Sequence, residues 1–385
     1  MGKFYTALGL MSGTSMDGVD ASIIKSNGID KFHNLLDEYS KFDSDLHNKL
    51  VNLRDKVLTE SDLLKYSKEL RILERELTIF HSKAANEILE KYRKNTGENI
   101  DLIGFHGQTI YHDPKNKVSK QLGDGKLLSQ LTNKPVVFDF RQNDLKNGGQ
   151  GAPLTPVFHN LLANIIFEKH KDKFPNFLNI GGISNITNTV KDNDNLKTNI
   201  QAFDIGPGNC LIDEWIRNNS NKKFDEDGLI AKSGKIDKLI LNQAIDNFHF
   251  KSYKESLDVK DFDISFARGL SLEDGCATLT NFTAYIISEG IKFSIEKNES
   301  NTNNYLICGG GRKNTFLIKY IADYLANIKN ISLNSIDKYD YNGDFVESQA
   351  FGFLAIRTYL NLPITFPDTT GCKKPCIGGK IVKNF

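Results

Sequence analysis

A chain of 385 residues exceeds the usual span of about 100 to 200 residues per domain, so two domains or one unusually large one are expected. Lys and Arg number 49 against 48 Asp and Glu, and a net charge of +1 offers no global field for gripping nucleic acid or an anionic membrane. Any anion must therefore be held locally, and a composition of 39% hydrophobic and 25% charged residues excludes global disorder and points to a globular enzyme.

In chain order, Phe4 to Leu10 reads as a strand, and Val19, Ala21 and Ile23 alternate with polar residues as a second strand would. Between them lies Met11-Ser12-Gly13-Thr14-Ser15-Met16-Asp17-Gly18, a loop of small and hydroxyl-bearing residues. Leu46, Leu50, Leu53 and Val57 recur at helical spacing, with Ser44 as the N-cap candidate. From Ser61 to about Tyr92 a long helix is expected, with Leu70, Leu73, Leu77, Phe80 and Ala84 on one core stripe. Ile100 to Phe105 reads as a buried strand ending in His106-Gly107-Gln108-Thr109, and Val136 to Phe140 as another ending in Arg141.

The segment Asn147 to Pro153 is the most linker-like in the chain, which places a domain crossing nearby. The expected division is 1–140 with 366–385 against 141–365. Phe177 to Ile180, the Gly181-Gly182 turn and an alternating strand through Ile186 then repeat the opening theme. Ile200 to Phe203 runs into Asp204-Ile205-Gly206-Pro207-Gly208-Asn209, followed by an amphipathic helix with Leu211, Ile212, Trp215 and Ile216. Tyr305 to Cys308 is a strand ending in Gly309-Gly310-Gly311, with a helix from Thr315, and Glu347 opens a helix through Phe351 and Leu354. Two strand, Gly-turn, strand units half a chain apart suggest a duplicated α/β domain.

Five cysteines, Cys210, Cys276, Cys308, Cys372 and Cys376, are few and odd in number, which fits a reducing cytoplasm better than a secreted disulfide framework. Cys372 and Cys376 stand C-x3-C, but no second Cys or His pair follows to complete a zinc site, so both read as thiols. The N-terminus lacks the pattern of a signal peptide, and no stretch is long enough to span a bilayer.

Glycines at strand ends let backbone N–H groups wrap a phosphate, and three such clusters suggest a polyphosphate ligand, although each taken alone fits a structural turn. None matches the Walker A pattern or Gly-x-Gly-x-x-Gly, and Gly-x-Ser-x-Gly is absent. Asp204, at a strand end before a Gly turn, suits a general base or a turn cap. Asp17 and Asp20 suit a magnesium ion, or in the case of Asp20 a solvent-facing strand position. Glu347 fits a first-turn helix acid, His106 a hydrogen-bonded structural residue, and Arg141 either an anion contact or a linker brace.

The segments Gly9 to Asp20, Gly104 to Thr109, Asp139-Phe140-Arg141, Gly149 to Leu154, Asn179 to Asn185, Phe203 to Asn209 and Cys308 to Gly311 closely resemble, in order, the anhydro-N-acetylmuramic acid kinases. The resemblance implies an α/β, actin-like (RNase H-like) duplicated two-domain sugar kinase fold with an interdomain active-site cleft. It implies that ATP and Mg2+ convert 1,6-anhydro-N-acetylmuramic acid and one water into N-acetylmuramic acid 6-phosphate and ADP, a step of peptidoglycan recycling. Asp204 would then deprotonate the attacking water. Ser12, Gly13, Thr14, Ser15, Met16, Asp17, Gly18, Val19 and Asp20 would hold the ATP phosphates, Gly181 and Gly182 would close on them, and Gly309, Gly310 and Gly311 would sit near adenosine. Arg141, Glu347 and His106 fall to the sugar. A homodimer is implied, with neither nucleic acid nor membrane as partner. Two departures stand out: the first strand ends Leu10-Met11-Ser12 where many actin-like kinases carry an Asp, leaving the metal ligands unassigned, and Ile205 stands where members often show Thr.

Overall fold

The computed structural model describes residues 2–191, 199–249, 252–297 and 303–385. The chain opens with strands β1 (Tyr5–Ser12), β2 (Gly18–Ser26) and β3 (Phe32–Lys41), then helices α1 (Ser44–Lys56), α2 (Glu60–Lys65) and α3 (Ser67–Thr96). Next come β4 (Leu102–Asp113), β5 (Val118–Leu122), α4 (Gly125–Thr132), β6 (Val136–Phe138), α5 (Gln142–Lys146) and α6 (Pro156–His170). The second series is β7 (Asn176–Ile180), β8 (Ile183–Asn188), β9 (Gln201–Pro207), α7 (Cys210–Asn219), α8 (Leu229–Ser233), α9 (Lys238–Asn247), α10 (Leu272–Lys297), β10 (Asn304–Cys308), α11 (Thr315–Tyr324) and β11 (Ser332–Ser335). The chain closes with α12 (Val346–Tyr359), α13 (Pro367–Thr370) and β12 (Lys380–Val382).

These elements form two units. One takes the chain up to Ile165, a short stretch ending at Ile200, and Phe345–Phe385; the other takes Ile166–Lys191 and Gln201–Asp344. The expected division near 140 and 365 is therefore displaced at both ends. Its physical reason is α12, whose backbone lies on β1, β2 and β4 and belongs with them. A Cβ on Gly9 would stand 1.9 Å from the Ser348 carbonyl oxygen, and one on Gly104 2.2 Å from that of Phe351, so helix and sheet meet through bare backbone. The Asn147 to Pro153 segment is not a linker but an internal turn: Asp144 Oδ2 accepts from Gly151 N–H at 2.7 Å, and Gln150 N–H donates to the Thr370 carbonyl at 2.7 Å.

In the first unit the sheet runs β12-β6-β4-β1-β2-β3, with β5 paired to β4. β1, β2 and β3 are antiparallel neighbours, while β4 and β6 run parallel to β1. In the second unit the order is β11-β10-β7-β8-β9, again with three antiparallel strands and two added in parallel. Leaving aside β5 and β12, both sheets place their strands 3-2-1-4-5 with the same directions. That shared topology is the duplication expected of the actin-like, RNase H-like fold.

Apolar strands such as β1, buried on nearly every residue, require cover on both faces. α12 supplies one face, and α1 and α3 supply the other through Leu46, Leu50, Leu53, Leu70, Leu73 and Leu77. The helix cap is Asp43 rather than Ser44, its carboxylate accepting from Leu46 N–H at 2.8 Å, and the long helix is broken at Tyr66 between α2 and α3. In the second unit α10 buries most of its length against β8, β9 and α11. No helix among the described residues is long and apolar enough to cross a membrane.

Candidate active site

In the first unit the Ser12–Gly18 connection is fastened by its carbonyl groups. Gln108 Nε2 donates to the Gly13 oxygen at 3.0 Å, His47 Nδ1 to the Met16 oxygen at 2.7 Å, and Phe42 N–H and Tyr39 Oη to the Asp17 oxygen at 2.8 and 3.0 Å. With these acceptors occupied from the flanking elements, the loop tip of Thr14 and Ser15 is left exposed. Met16, at φ 54°, turns its side chain into the core beside Val19, so neither side chain reaches a ligand at the surface. Asp17 Oδ1 accepts from Ser15 Oγ at 2.6 Å. Tyr39 lies opposite Asp20 across β2 and β3, and burial, followed by the charges of Asp17 and Asp20, pushes its phenol above the ordinary range.

His106 and Arg141 meet in the same unit. The Nδ1 of His106 faces the Gly107 carbonyl at 2.8 Å and must donate there, leaving Nε2 to accept from Arg141 Nε at 3.2 Å and Nη2 at 3.1 Å. Burial first, and the Arg141 charge second, hold His106 well below the usual histidine range, so the ring is neutral. Arg141 also donates to the Gly151 carbonyl at 3.2 Å, which aims the guanidinium. The Phe351 ring lies 4.5 Å from the His106 ring, and Glu347 stands one turn earlier on α12.

In the second unit three glycine loops converge at the ends of β7, β9 and β10. Gly208 N–H donates to the Gly182 oxygen at 2.9 Å and Asn209 N–H to the Gly181 oxygen at 2.7 Å. A Cβ on Gly309, whose φ is +79°, would lie 2.6 Å from Asn179 Oδ1, and one on Gly311 2.2 Å from Ile180 Cγ2. Only glycine permits that approach. Asp204 lies on β9, 6% exposed, and its Oδ2 accepts from Leu257 N–H at 2.8 Å and Ser256 Oγ at 3.2 Å. Ile205 points to the opposite face, where a Cβ on Gly290 of α10 would come within 2.5 Å of it. A threonine there would not hydrogen-bond the carboxylate; residues 256 and 257 orient Asp204 instead.

The anhydro-N-acetylmuramic acid kinase family profile matches residues 5–384. A protein of that name from Pelagibacter ubique (strain HTCC1062) is 52% identical over 388 residues, covering 100% of both chains. Others of the same name from Agrobacterium fabrum and Brucella canis are 36% and 37% identical, covering 100% and 98% of both chains respectively. The chain belongs to the anhydro-N-acetylmuramic acid kinase family.

For an anhydro-N-acetylmuramic acid kinase, sequence reasoning missed the bracing residues. Arg312, with its side chain 5% exposed, donates to Asp337 at 2.7 and 3.1 Å, to Asp344 at 2.5 Å and to the Gly309 carbonyl at 3.2 Å. Burial opposes its charge, but the hydrogen bonds to both carboxylates outweigh that and raise its pKa. Asn179 and Asn209, which line the glycine loops, were legible only as parts of the motifs. Asp17, which follows the exposed loop tip, and Asp20, on β2 opposite Tyr39, offer hard carboxylate oxygens of the kind an implied magnesium takes together with phosphate and water. The Asp144, Cys372 and Cys376 cluster is not an equivalent. Asp144 already accepts from Thr365, Thr370 and Gly151, and burial pushes the Cys372 thiol up to about 12.

Proposed function

We propose that this protein uses ATP to open 1,6-anhydro-N-acetylmuramic acid and phosphorylate it, giving N-acetylmuramic acid 6-phosphate and ADP. The supporting observation is full-length membership of the family. Asp204 takes a proton from water, the water oxygen bonds to the anomeric carbon, and the bond from that carbon to O6 breaks. O6 then attacks the γ-phosphorus, and the bridging bond to ADP breaks. Such transfer needs alignment and charge stabilisation more than covalent chemistry from the protein.

Leu257 N–H and Ser256 Oγ hold the Asp204 carboxylate in place through its Oδ2. The neutral His106 and the Gly151 carbonyl aim Arg141, which contributes positive charge for an anionic or hydroxylated sugar group, and Glu347 contributes a carboxylate for sugar hydroxyls. Backbone N–H groups of the Gly13–Gly18 loop, apart from that of Met16, which donates to the Gly13 carbonyl, receive phosphate, and Gly181, Gly182 and Gly309 to Gly311 receive the remainder of the nucleotide. Asp17 and Asp20 would hold Mg2+, which neutralises phosphate charge. A cytoplasmic homodimer accompanies this reading. Incubation with ATP, Mg2+ and the anhydro sugar in 18O-water is expected to yield a 6-phosphorylated product carrying the label at C1; absence of product, with turnover of another hexose, overturns the reading.

A further inference from the structure

The loop between β1 and β2 is rooted in a buried serine and histidine pair. Ser12, the last residue of β1, places Oγ 2.8 Å from Nε2 of His81 on α3. His81 is fully buried, with its ring 5.0 Å from Phe105 and 6.3 Å from Phe42. Its Nδ1 lies 2.9 Å from the Leu77 carbonyl, which can only accept, so Nδ1 carries the hydrogen. Nε2 is then bare and accepts the Ser12 proton. Burial lowers the ring's pKa to about 4, so this neutral tautomer persists at physiological pH.

Packing does not require an imidazole here. Of the neighbouring buried α3 positions, Leu73, Leu77, Ala84, Ala85 and Ile88 are apolar, while Thr78 and Ser82 donate their hydroxyls to the α3 carbonyls of Glu74 and Ile79, so an apolar ring would fill the same space without the cost of desolvating two nitrogens. What His81 adds, besides its bond to the Leu77 carbonyl of its own helix, is a directed hydrogen bond to Ser12. Because the Ser12 hydrogen is committed to His81 and the residue is 2% exposed, Ser12 cannot donate to a phosphate. It is an anchor for the loop, not a ligand of ATP. Gln108, in parallel register with Ser12, holds the next carbonyl at Gly13, so α3 and β4 fix the loop root from two directions.

We propose that His81 is a positioning residue for phosphoryl transfer, acting through Ser12 to set the loop Gly13–Gly18 for the ATP phosphates. The proposal rests on the ATP-loop reading above. Its test uses the full chain with His81→Phe, Ser12→Ala and the double variant, read by affinity for a non-hydrolysable ATP analogue, kinase kinetics and melting temperature. His81→Phe strands a buried hydroxyl and lowers Tm, and the double variant, with neither polar group, regains it. Analogue affinity and KM for ATP weaken about five- to thirtyfold in each single variant and remain as weak in the double variant, with KM for the sugar unchanged.

Recovery of affinity together with Tm in the double variant overturns the proposal and leaves a packing role. So does unchanged affinity in the single variants. If His81→Phe does not fold, Ser12→Ala, which removes one oxygen, gives the same readout. A wild-type protein that binds the analogue but yields no sugar phosphate overturns the proposed function, and the affinities still decide the role of His81. A wild-type protein that binds no analogue overturns both.

Discussion

Substitution of Gly9 by alanine tests how the first unit is assembled. The added Cβ would stand 1.9 Å from the Ser348 carbonyl oxygen and 2.5 Å from the Gly352 nitrogen. Both are backbone atoms of α12, so neither can rotate away. Ordinary non-bonded contact begins near about 3.5 Å, so helix and strand must separate by roughly 1.5 Å. Overpacking of this kind costs about 1 to 3 kcal/mol, and a unit of about 200 residues loses about 2 to 4 °C per kcal/mol. Calorimetry should show Tm lowered by about 2 to 12 °C. The displaced helix carries Glu347, and its Phe351 abuts His106, so kcat/KM for the sugar should fall by about a hundredfold, the effect of about 1 Å of misplacement. Gly13→Ala is the stability control, since a Cβ there meets only Ser15 Oγ at 3.9 Å. A Gly9→Ala protein melting within about 1 °C of wild type with unchanged kcat/KM refutes the reasoning.

Asp204→Asn should lower kcat by about a hundred- to ten-thousandfold while nucleotide affinity and Tm hold, because an amide oxygen can still accept from Leu257 N–H; a loss under about tenfold in steady-state assays assigns the base elsewhere. Arg312→Gln frees Gly309 and leaves Asp337 and Asp344 without their shared cation, costing about 1 kcal/mol of stability after allowance for the solvent around those carboxylates. It should weaken binding of an ATP analogue, and an unchanged Kd by fluorescence titration removes the bracing role. Four histidines of the first unit should make it acid-labile. Burial holds His81 at about 4, His112 and His159 at about 3, and His106 well below its ordinary value, against about 6.5 in the unfolded chain. Below pH 6.5 the unfolded chain binds more protons, so stability is full above about pH 7 and falls as pH drops toward 4. Equal denaturant midpoints at about pH 7.5 and pH 5 would contradict this.

Most of the fold was legible because its signals are local. The alternation in β2, the stripe on α3 and the repeated strand, Gly-turn, strand pattern each depend on residues close in sequence, whereas the 3-2-1-4-5 order also needs β3 and β11, which carried no such signal, and parallel pairings of strands far apart in the chain. What escaped depends on distant partners. Gly149 and Gly151 read as linker because glycine composition does not disclose that Asp144 fills the space beside Gly149, where a Cβ would stand 2.1 Å from the carboxylate. The extent of the first unit escaped because α12 joins β1 from more than 300 residues away, through contacts that require two glycines rather than an apolar match. Arg312 follows the glycine triplet directly, but Asp337 and Asp344, which make it a brace, carry no signal tying them to it.

The two units also secure their equivalent turns by different means, and the difference bears on how each tolerates mutation. In the first, side chains from other elements add to the backbone bonds of Met16 and Phe42 in holding the loop carbonyls: Gln108 at Gly13, His47 at Met16, Tyr39 at Asp17, with His81 beneath Ser12. In the second, the glycine loops hold one another by backbone, Gly208 to Gly182 and Asn209 to Gly181, with the Arg312 carboxylate pair behind the third loop. Side-chain clamps can be removed one at a time, each at the cost of about one hydrogen bond. Backbone clamps fail only when a Cβ intrudes, as at Gly208, where it would meet the Gly181 oxygen at 2.2 Å. The first unit should therefore yield graded losses of ATP affinity across Gln108, His47 and His81 variants. In the second unit, alanine at Gly208 should abolish binding outright, and a Gly208→Ala protein with wild-type affinity by titration would remove the distinction.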